Sequence, residues 1–334
     1  MIHYEDRWAV VTGASSGLGR GLARRLAEKG MRLVLTGRNQ ERLAETREQI
    51  RQRIPTAVVE TVPADLATAL GLQALLDHVG ERPVEVLVNN AGFGSYGAFA
   101  ESNLERESEE IAVDVAAVVT LARRFLAGMI ARKSGGILNV ASTIAFQPAP
   151  YQAVYGASKA FVLSFSQALW AEGRPAGVSV TALCPGPTRT GFVAALGADV
   201  GHTAIYKRLA EPEPVIEAGL RALERGQPVI IPGLVNRVLA ISGRLMPMSW
   251  ITRISGMLLG PKRAPIDVRN ERIVHASPEQ VWDLLADVGS WPSWYRACRW
   301  LRRDGAAGFL WKAHPIELES TVTEATRGRS FAFT

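Results

Sequence analysis

Short apolar runs alternate with longer amphipathic stretches over the first two thirds of the chain, and this alternation constrains the fold more than any other feature. Apolar runs without period-two alternation are typical of strands buried on both faces, and helical crossovers allow only parallel pairing. The runs are Trp8–Thr12, Arg32–Thr36, Val58–Val62, Val84–Asn89, Gly136–Ala141, Val178–Cys184 and Val229–Ile231. The pattern predicts an α/β fold, a doubly wound parallel sheet with helices on both faces, over residues 1–232.

Composition excludes several other classes of protein. The 334 residues are 47% hydrophobic and 21% charged, as in globular proteins, and the net charge of +6 comes mostly from dispersed arginines rather than a basic stripe. We therefore expect no nucleic-acid partner. Cys184 and Cys298 lie far apart and the five histidines are scattered, so spacing predicts no metal site. Without a signal-like segment or an unbroken apolar stretch of ~18 residues, the sequence favours a cytoplasmic protein.

The segment 233–265 has a different pattern. Arginines interrupt its apolar residues between Val235 and Gly260, which predicts short amphipathic helices, and Pro261–Pro265 reads as a linker. Two interpretations stand: packing on the main domain, which we favour, and peripheral contact with a membrane surface through residues 235–260.

A glycine-rich loop joins the first predicted strand to the first predicted helix. Gly13, Gly17 and Gly19 give the spacing GxxxGxG, with Ser15, Ser16 and Leu18 between them. Such a loop lets the backbone and the free N–H groups of a helix N-terminus approach a pyrophosphate. At this place in a doubly wound sheet, the loop predicts a dinucleotide site.

Two residues after later strands bear on which dinucleotide binds. Arg38, after the second strand, suits a 2′-phosphate, whereas a carboxylate there would bind the ribose hydroxyls, so NADP(H) is favoured over NAD(H). Asp65, after the third strand, either accepts a hydrogen bond from the adenine amino group or caps the next helix.

A third group of polar residues follows the fifth strand. Ser142 ends that strand, and Tyr155 and Lys159 share one face of a predicted helix because they are four residues apart. Ligands of doubly wound sheets bind at this edge. A phenol titrates near pH ~10, so a tyrosine that exchanges protons at neutral pH needs its pKa lowered by about three units, which a fixed ammonium favours.

Together these motifs resemble the short-chain dehydrogenase/reductase family, in the branch with a GxxxGxG loop. The matching segments are Thr12–Gly19, Asn89–Gly92, Ser142, Tyr155-x-x-x-Lys159 and Pro185–Thr190. The resemblance covers roughly residues 5–232. It implies a seven-stranded Rossmann sheet and hydride transfer between a nicotinamide and a carbonyl or alcohol carbon, that is, an enzyme acting on CH–OH donors with NAD(P).

The resemblance also implies roles for individual residues. Tyr155 would be the acid/base, Lys159 would bind the nicotinamide ribose and lower the tyrosine pKa, and Ser142 would hydrogen-bond the substrate oxygen. Further cofactor contacts are implied for Asn90, Ala91, Gly92, Pro185, Gly186, Thr188 and Thr190. Homo-oligomerisation through the long helices is likewise implied.

One position departs from the family pattern. The family usually has Asn where this chain has Asp114, and the carbonyl of that residue holds a water in a proton relay. An aspartate keeps the carbonyl but can add a negative charge near Lys159. We therefore expect an intact but retuned relay.

Residues 266–334 form a further unit. Ala276–Asp287 and Trp291–Trp294 resemble the start of the START-like (SRPBCC, polyketide cyclase and lipid-transport) superfamily, and three strands are predicted at Gly308–Ala313, Glu317–Glu324 and Ser330–Thr334. Such domains end in a long helix, so we expect a partial domain here, either a remnant module for an apolar ligand or, as we favour, a segment without its own function.

The sequence thus predicts an NADP(H)-dependent oxidoreductase for a ketone or secondary alcohol. Its substrate loops would be Ala145–Ala153 and Gly191–Glu213, and a lipophilic substrate is expected from their aromatic residues Phe146, Tyr151, Phe192 and Tyr206. The alternative is a non-catalytic NADP-binding scaffold or lipid-sensing protein, suggested by Asp114 and the added segment.

Overall fold

A computed structural model describes residues 2–192, 196, 200, 203, 206, 209–242, 247–260, 280, 282–283, 286–287, 298–304, 308–313, 316–326 and 330–333. For 241–242 and 298–333 only the backbone is described. The chain divides into two units, Met1–Lys262 and Arg263–Thr334.

The first unit contains the predicted doubly wound sheet. Its seven strands pair in parallel in the order β3-β2-β1-β4-β5-β6-β7, so the order reverses between β1 and β4. The strands are β1 Trp8–Thr12, β2 Arg32–Gly37, β3 Val59–Pro63, β4 Val84–Asn89, β5 Gly136–Val140, β6 Ser179–Leu183 and β7 Val229–Ile230. Each end lies within one residue of the predicted run, which confirms the fold class.

Helices cover both faces of this sheet. They are α1 Gly17–Glu28, α2 Gln40–Arg53, α3 Ala69–Val79, α4 Leu104–Ile111, α5 Val118–Arg132, α6 Ala153–Gly173, α7 Pro212–Glu224, α8 Leu234–Ser242 and α9 Met248–Leu259. Side chains of Asn39, Thr68 and Asn103 accept hydrogen bonds from backbone N–H groups in the first turns of α2, α3 and α4. Such caps stabilise a helix by about 1 kcal/mol each.

The core contains two large clusters, one on each face of the sheet, and a smaller one next to β6. Leu22, Leu26 and Leu33 belong to the cluster under α1 and α7, and Leu121 and Ile137 belong to the cluster under α3 and α5. Each large side chain buried in this way contributes about 1.5–3 kcal/mol. The sheet is therefore a rigid support for the loops at its carboxyl edge.

A π-helical turn, Ala112–Ala117, joins α4 to α5 without a break in the helical path. Such a turn inserts one extra residue into a helix and is frequent at functional sites. Asp114 lies in it and its side chain is fully buried.

Helices α8 and α9 expose many apolar side chains. Val235 is 72% exposed, Trp250 61% and Met257 81%. The buried face of α9 includes Ile251 and Leu259. No helix in the described part of the chain is both long and apolar enough to cross a membrane.

The second unit contains four antiparallel strands in the order β11-β10-β9-β8. They are β8 Cys298–Asp304, β9 Gly308–Ala313, β10 Ile316–Thr326 and β11 Ser330–Phe333. Strands β9, β10 and β11 correspond to the three predicted strands, whereas β8 lies in a tryptophan-containing stretch that carried no strand prediction. Trp291, Trp294 and the motif Ala276–Asp287 lie outside the described residues, apart from Gln280, Trp282, Asp283, Ala286 and Asp287.

Candidate active site

A cleft of about 480 Å³ opens at the carboxyl ends of the central strands. This edge is where the strand order reverses, and such a switch point leaves a crevice between neighbouring loops. The predicted site residues that line the cleft are Gly13, Ser15, Ser16, Gly17, Leu18, Arg38, Asp65, Asn90, Ala91, Gly92, Ser142, Tyr155, Lys159, Pro185, Gly186, Thr188 and Thr190. Gly19 and Asp114 do not line it; they lie behind its wall.

The glycine loop is shaped by close backbone approaches. Gly13 has a φ of +64°, and a Cβ there would lie 2.8 Å from Ala91 Cα. A Cβ on Gly19 would lie 2.3 Å from the Gly13 carbonyl oxygen. Gly19 was predicted to bind the cofactor, but its place beneath the loop makes it a packing residue that sets the loop's curvature.

Side chains from β1 and β4 hold this loop in place. The Thr12 hydroxyl accepts hydrogen bonds from the backbone N–H groups of Asn90 and Ala91, at 3.0 and 2.9 Å. The Asn90 amide donates to the carbonyls of Thr12 and Gly13, at 3.0 and 3.2 Å. Asn90, predicted to touch the cofactor, lines the cleft, and its amide also fixes the loop against β4.

The adenosine end of the cleft carries two exposed arginines. Arg38 lines it as predicted, and Arg42, in the first turn of α2, lines the same wall. The Asp65 carboxylate accepts a hydrogen bond from the Ala67 N–H at 3.0 Å, while Thr68 caps α3. Arg42 was missed because helix surfaces are rich in solvated arginines, but its spacing of four from Arg38 was a usable signal.

Tyr155 and Lys159 project from the first turns of α6, and both are buried. The Lys159 Nζ lies 5.7 Å from the centre of the Tyr155 ring and donates to the Val140 carbonyl at 3.2 Å. The Tyr155 hydroxyl is hydrogen-bonded to the Ser142 side chain. The Phe192 ring lies 5.2 Å from the Tyr155 ring. Ser142, Tyr155 and Lys159, predicted to form the catalytic group, therefore lie together at one end of the cleft.

The pKa of Tyr155 does not follow the prediction. Burial raises it well above its usual value, and the nearby carboxylate of Asp114 raises it further. A lowered pKa was expected from Lys159, and for the ligand-free chain that expectation is wrong. The Lys159 ammonium is paired with Asp114, so its charge is not available to stabilise a phenolate.

Asp114, in the π-helical turn, forms an ion pair with Lys159 on α6. Its Oδ2 lies 2.9 Å from Lys159 Nζ, and its Oδ1 accepts a hydrogen bond from the Phe93 N–H at 3.2 Å. Burial raises the pKa of Asp114, and the ammonium opposes this shift. The predicted extra charge beside Lys159 is therefore a direct ion pair.

Glu110, one helical turn before Asp114, is a residue that sequence reasoning missed. Its side chain is 0% exposed, and its Oε2 accepts a hydrogen bond from the Ser95 hydroxyl at 2.8 Å. Burial raises its pKa to about 7. Acidic residues are frequent on exposed helix faces, so the sequence did not mark Glu110; its spacing of four from Asp114 was the only signal.

The substrate side of the cleft is mostly apolar. Phe192, Tyr206, Ile144 and Leu259 line it, with the Tyr206 hydroxyl donating to Gln152 Oε1 at 3.1 Å. Phe146 and Tyr151 were also predicted to line the pocket, and this is wrong. Phe146 packs on a core cluster next to β6, and the Tyr151 ring faces Tyr96, with 6.4 Å between ring centres.

The cleft fits a phosphorylated dinucleotide. Its floor is a backbone cradle that a Cβ would fill, one end carries arginines, and the other end holds a phenol beside an ammonium. Within the described residues, no group of three or more His, Cys, Asp or Glu could hold a metal ion.

Comparisons with known proteins agree with this geometry. Residues 7–201 match the family described as short chain dehydrogenase, and residues 265–334 match the family described as polyketide cyclase / dehydrase and lipid transport. An uncharacterized oxidoreductase of Staphylococcus saprophyticus is 34% identical over 227 residues, which is 67% of this chain and 94% of the relative.

Two solved structures share the fold. A short-chain dehydrogenase from Sphingobium yanoikuyae in complex with NADPH is 30% identical with a TM-score of 0.65, over 78% of this chain and 98% of that one. A bulky-bulky ketone specific alcohol dehydrogenase from Comamonas testosteroni is 29% identical with a TM-score of 0.61, over 72% of this chain and 93% of that one.

Proposed function

Because this chain belongs to the short-chain dehydrogenase family and is an NAD(P)-dependent oxidoreductase, we propose that it transfers a hydride between NADP(H) and a lipophilic ketone or secondary alcohol, with Tyr155 as the acid/base. The observation that carries the proposal is the meeting of Tyr155, Ser142 and Lys159 at the apolar end of the cleft. NADPH, when bound, supplies the hydride; the residues of the chain hold the substrate oxygen and move its proton.

The chemistry follows from the state of the phenol. With its pKa raised by burial and by Asp114, Tyr155 is protonated at neutral pH and ready to donate to a carbonyl oxygen. Ser142, hydrogen-bonded to Tyr155, is placed to position the same oxygen. These features favour carbonyl reduction as the working direction.

The choice of NADP(H) rests on charge at the adenosine end. Arg38 and Arg42 line this end and would bind a 2′-phosphate there through charge-assisted hydrogen bonds, which are about twice as strong as neutral ones. Asp65 lines the same cleft, and its carboxylate accepts a hydrogen bond from the Ala67 N–H. The related protein from Sphingobium yanoikuyae binds NADPH.

The choice of a lipophilic substrate rests on the pocket wall. Phe192, Ile144 and Leu259 offer apolar surface. The Gln152 Oε1 is already paired with Tyr206, and the buried Gln152 Nε2 has no partner among the described residues. A sugar would leave several hydroxyls without partners on such a wall, and each unpaired buried group costs about 1–3 kcal/mol.

The test is oxidation of NADPH by purified protein against a panel of bulky ketones, acyl ketones and small sugars. We expect turnover with the hydrophobic ketones and a loss of at least about a thousandfold in Tyr155→Phe. Tyr4→Phe, remote from the cleft, is the matched control. Equal turnover of sugars would overturn the substrate class, and unchanged activity in Tyr155→Phe would overturn the acid/base assignment.

A non-catalytic NADP-binding scaffold is the second candidate, favoured by the Asp114–Lys159 pair that removes charge from Tyr155. It predicts tight NADPH binding with no oxidation of the cofactor by any member of the panel. Calorimetric titration with NADPH, run beside the turnover assay, separates the two functions.

Peripheral membrane contact through residues 235–260 is part of the proposal, because α8 and α9 combine exposed apolar side chains with cations. Arg237 and Arg253 are exposed on these helices, and the sequence has no Asp or Glu from Gly226 to Ile266. An anionic lipid surface suits this pattern. The Tyr96 hydroxyl donates to the Leu259 carbonyl at 2.5 Å, which ties the end of α9 to the cleft wall.

We propose a cytoplasmic location for the enzyme, and the free, buried thiol of Cys184 agrees with it. Vesicle pelleting tests the membrane contact. We expect binding to anionic vesicles, weak binding to zwitterionic ones, and loss on replacing Trp250 and Met257 by serine. Replacing the exposed Leu70 on α3 is the control, since it lies on a different helix. Binding that survives the double replacement would contradict the proposal.

Assembly with further copies of the chain is the remaining expectation. The exposed part of the long helix α6 includes Phe161, stacked on Phe165 with 5.6 Å between ring centres. Burial of these rings between two copies would account for them. Sedimentation of wild type and Phe161→Glu tests this, with a shift to monomer expected in the variant.

A further inference from the structure

Two polar contacts lie on either side of a pair of buried carboxyl groups. The half-buried Ser95 hydroxyl donates to Glu110 Oε2 at 2.8 Å, and the Asp114 carboxylate lies 2.9 Å from Lys159 Nζ. Glu110 lies in the last turn of α4, and Asp114 follows it by four residues in the π-helical turn. The charges of Asp114 and Lys159 both act on Glu110.

We propose that Glu110 is a positioning residue for proton delivery, which reloads Tyr155 from solvent through Asp114 and Lys159. The inference rests on the proposed function and deepens it. It replaces the water held by a main-chain carbonyl, which the family resemblance implied, with a path through side chains of this chain.

The proton balance requires that one proton enters from solvent in each turnover. In each reduction, the hydride from NADPH goes to the carbonyl carbon and the phenol proton goes to the carbonyl oxygen, so one proton must enter from solvent. On the proposed path the Lys159 ammonium gives a proton to the Tyr155 phenolate and becomes an amine. The Glu110 acid then gives a proton to the Asp114 carboxylate, and the Asp114 acid so formed gives its proton to the lysine amine, which restores the ion pair and leaves Glu110 ionised. Ser95 then passes a solvent proton to Glu110.

The surroundings of Glu110 suit a group that takes up and releases protons. Its Oε1 is buried and has no hydrogen-bond partner among the described residues, so this oxygen is free to carry the proton. The charged and titratable groups that face it are Glu107 and Asp114 on its own helical path and Lys159 on α6. With two carboxyl neighbours and one cation, the site disfavours a permanently ionised Glu110.

The first test uses the full chain with NADPH and a ketone that the wild type reduces. We expect Glu110→Gln to lower kcat about tenfold at neutral pH and to raise the solvent isotope effect on kcat, with KM unchanged. The first hydride transfer in a single turnover keeps its rate, because Tyr155 starts protonated. Glu109→Gln, on the exposed side of α4, should behave as wild type.

A double-mutant cycle shows whether the groups act in series. Asp114→Asn breaks the carboxyl path, so adding Glu110→Gln to Asp114→Asn should change neither kcat nor the isotope effect further. Glu110→Asp should recover part of the rate. An equal loss from Glu110→Gln in both backgrounds would overturn the serial path.

A measurement without cofactor tests the proton on Glu110 itself. Since burial raises its pKa to about 7, the folded ligand-free chain binds a proton that the unfolded chain releases at lower pH. The stability that this proton contributes is complete below the unfolded pKa and is lost as pH rises towards 7. Unfolding curves should therefore show that the stability of Glu110→Gln increases relative to that of wild type from pH 5 to 8.

The outcomes separate this inference from the proposed function. If the wild type reduces no ketone, the proposed function fails and the unfolding titration still reports on Glu110. If the wild type is active but Glu110→Gln changes neither kcat nor the isotope effect, only the inference fails. A variant that loses stability equally at all pH values, with an unchanged isotope effect, assigns Glu110 a structural role and also overturns it.

Discussion

The two ends of the cleft differ in the interactions that shape them. At the adenosine end the contacts come from backbone curvature, with Gly13, Gly19 and Thr12 bringing the chain close, and from exposed arginines. At the catalytic end the contacts come from buried charge, with Lys159 held against Asp114. Steric packing of the backbone determines the adenosine end, and the electrostatics of a buried ion pair determine the catalytic end.

This difference decides how each end responds to substitution. A backbone cradle has little tolerance, since an added methyl group collides with main chain that cannot rotate away. A buried ion pair such as Asp114–Lys159 can be retuned, because replacing the carboxylate by an amide changes the charge and leaves the shape almost unchanged. We therefore expect steep losses at the adenosine end and shifts in pH dependence at the catalytic end.

Gly19→Ala should have the largest effect. The new Cβ would lie 2.3 Å from the Gly13 carbonyl oxygen and 2.4 Å from the Asn90 amide nitrogen, so the loop must move. We expect NADPH affinity to fall at least about a hundredfold and the free energy of unfolding to fall by about 1–3 kcal/mol. Calorimetric binding and chemical unfolding measure the two quantities.

Gly256→Ala in α9 is the matched control, since its Cβ would meet only Pro150 at 3.6 Å, an ordinary contact. Unchanged NADPH affinity in Gly19→Ala would show that the loop adapts, and the contrast between the two ends would then be lost.

The sequence was a good guide to the adenosine end. Its determinants are local: a strand of apolar residues, three glycines at fixed spacing and an arginine after the next strand all lie within residues 8–38. Strand order and the edge that carries the site follow from the same alternation. What the sequence did not show is that Gly19 packs beneath the loop rather than facing the cleft, because this depends on contacts with Asn90 from β4.

The catalytic end was predicted in its residues but not in its electrostatics. Ser142, Tyr155 and Lys159 were found, yet the net shift of the Tyr155 pKa in the ligand-free chain is upwards, because burial and Asp114 raise it. Burial and pairing across distant segments set that sign, and no local pattern encodes them. The same reason explains why Glu110 was missed.

Arg38 gives the second prediction, on the exposed charge of the adenosine end. Arg38→Ala should reduce the preference for NADPH over NADH by roughly ten- to a hundredfold, because a charge-assisted hydrogen bond is worth about 1.5–3 kcal/mol. Arg38→Ala with Arg42→Ala should reduce it further, since both line the same wall. The ratio of kcat/KM for the two cofactors measures the preference.

The control is Arg24→Ala, whose side chain is bound to Glu213 away from the cleft, and its cofactor ratio should equal that of wild type. If the double replacement left the ratio unchanged, recognition of the 2′-phosphate would have to come from the backbone cradle, and the adenosine end would depend on shape alone.

Asp114→Asn should give the smallest change in kcat/KM and the clearest change in its pH dependence, while kcat falls with the broken carboxyl path. Removing the carboxylate returns the Lys159 charge to Tyr155, so the pKa of the phenol falls, by about one pH unit for a charge change at this range. Alcohol oxidation needs the phenolate, so its rate profile should move to lower pH by the same amount and gain about tenfold below the wild-type pKa. Carbonyl reduction needs the phenol and should lose activity at a correspondingly lower pH. Profiles of kcat/KM in both directions measure this, with Glu109→Gln as the unaffected control.

An unshifted profile would mean that Asp114 is neutral in the working enzyme, and the electrostatics of the catalytic end would then be set by burial alone. A gain in turnover of several orders of magnitude would instead mean that the carboxylate blocks proton delivery in the wild type, because retuning one ion pair cannot lower a barrier by that much.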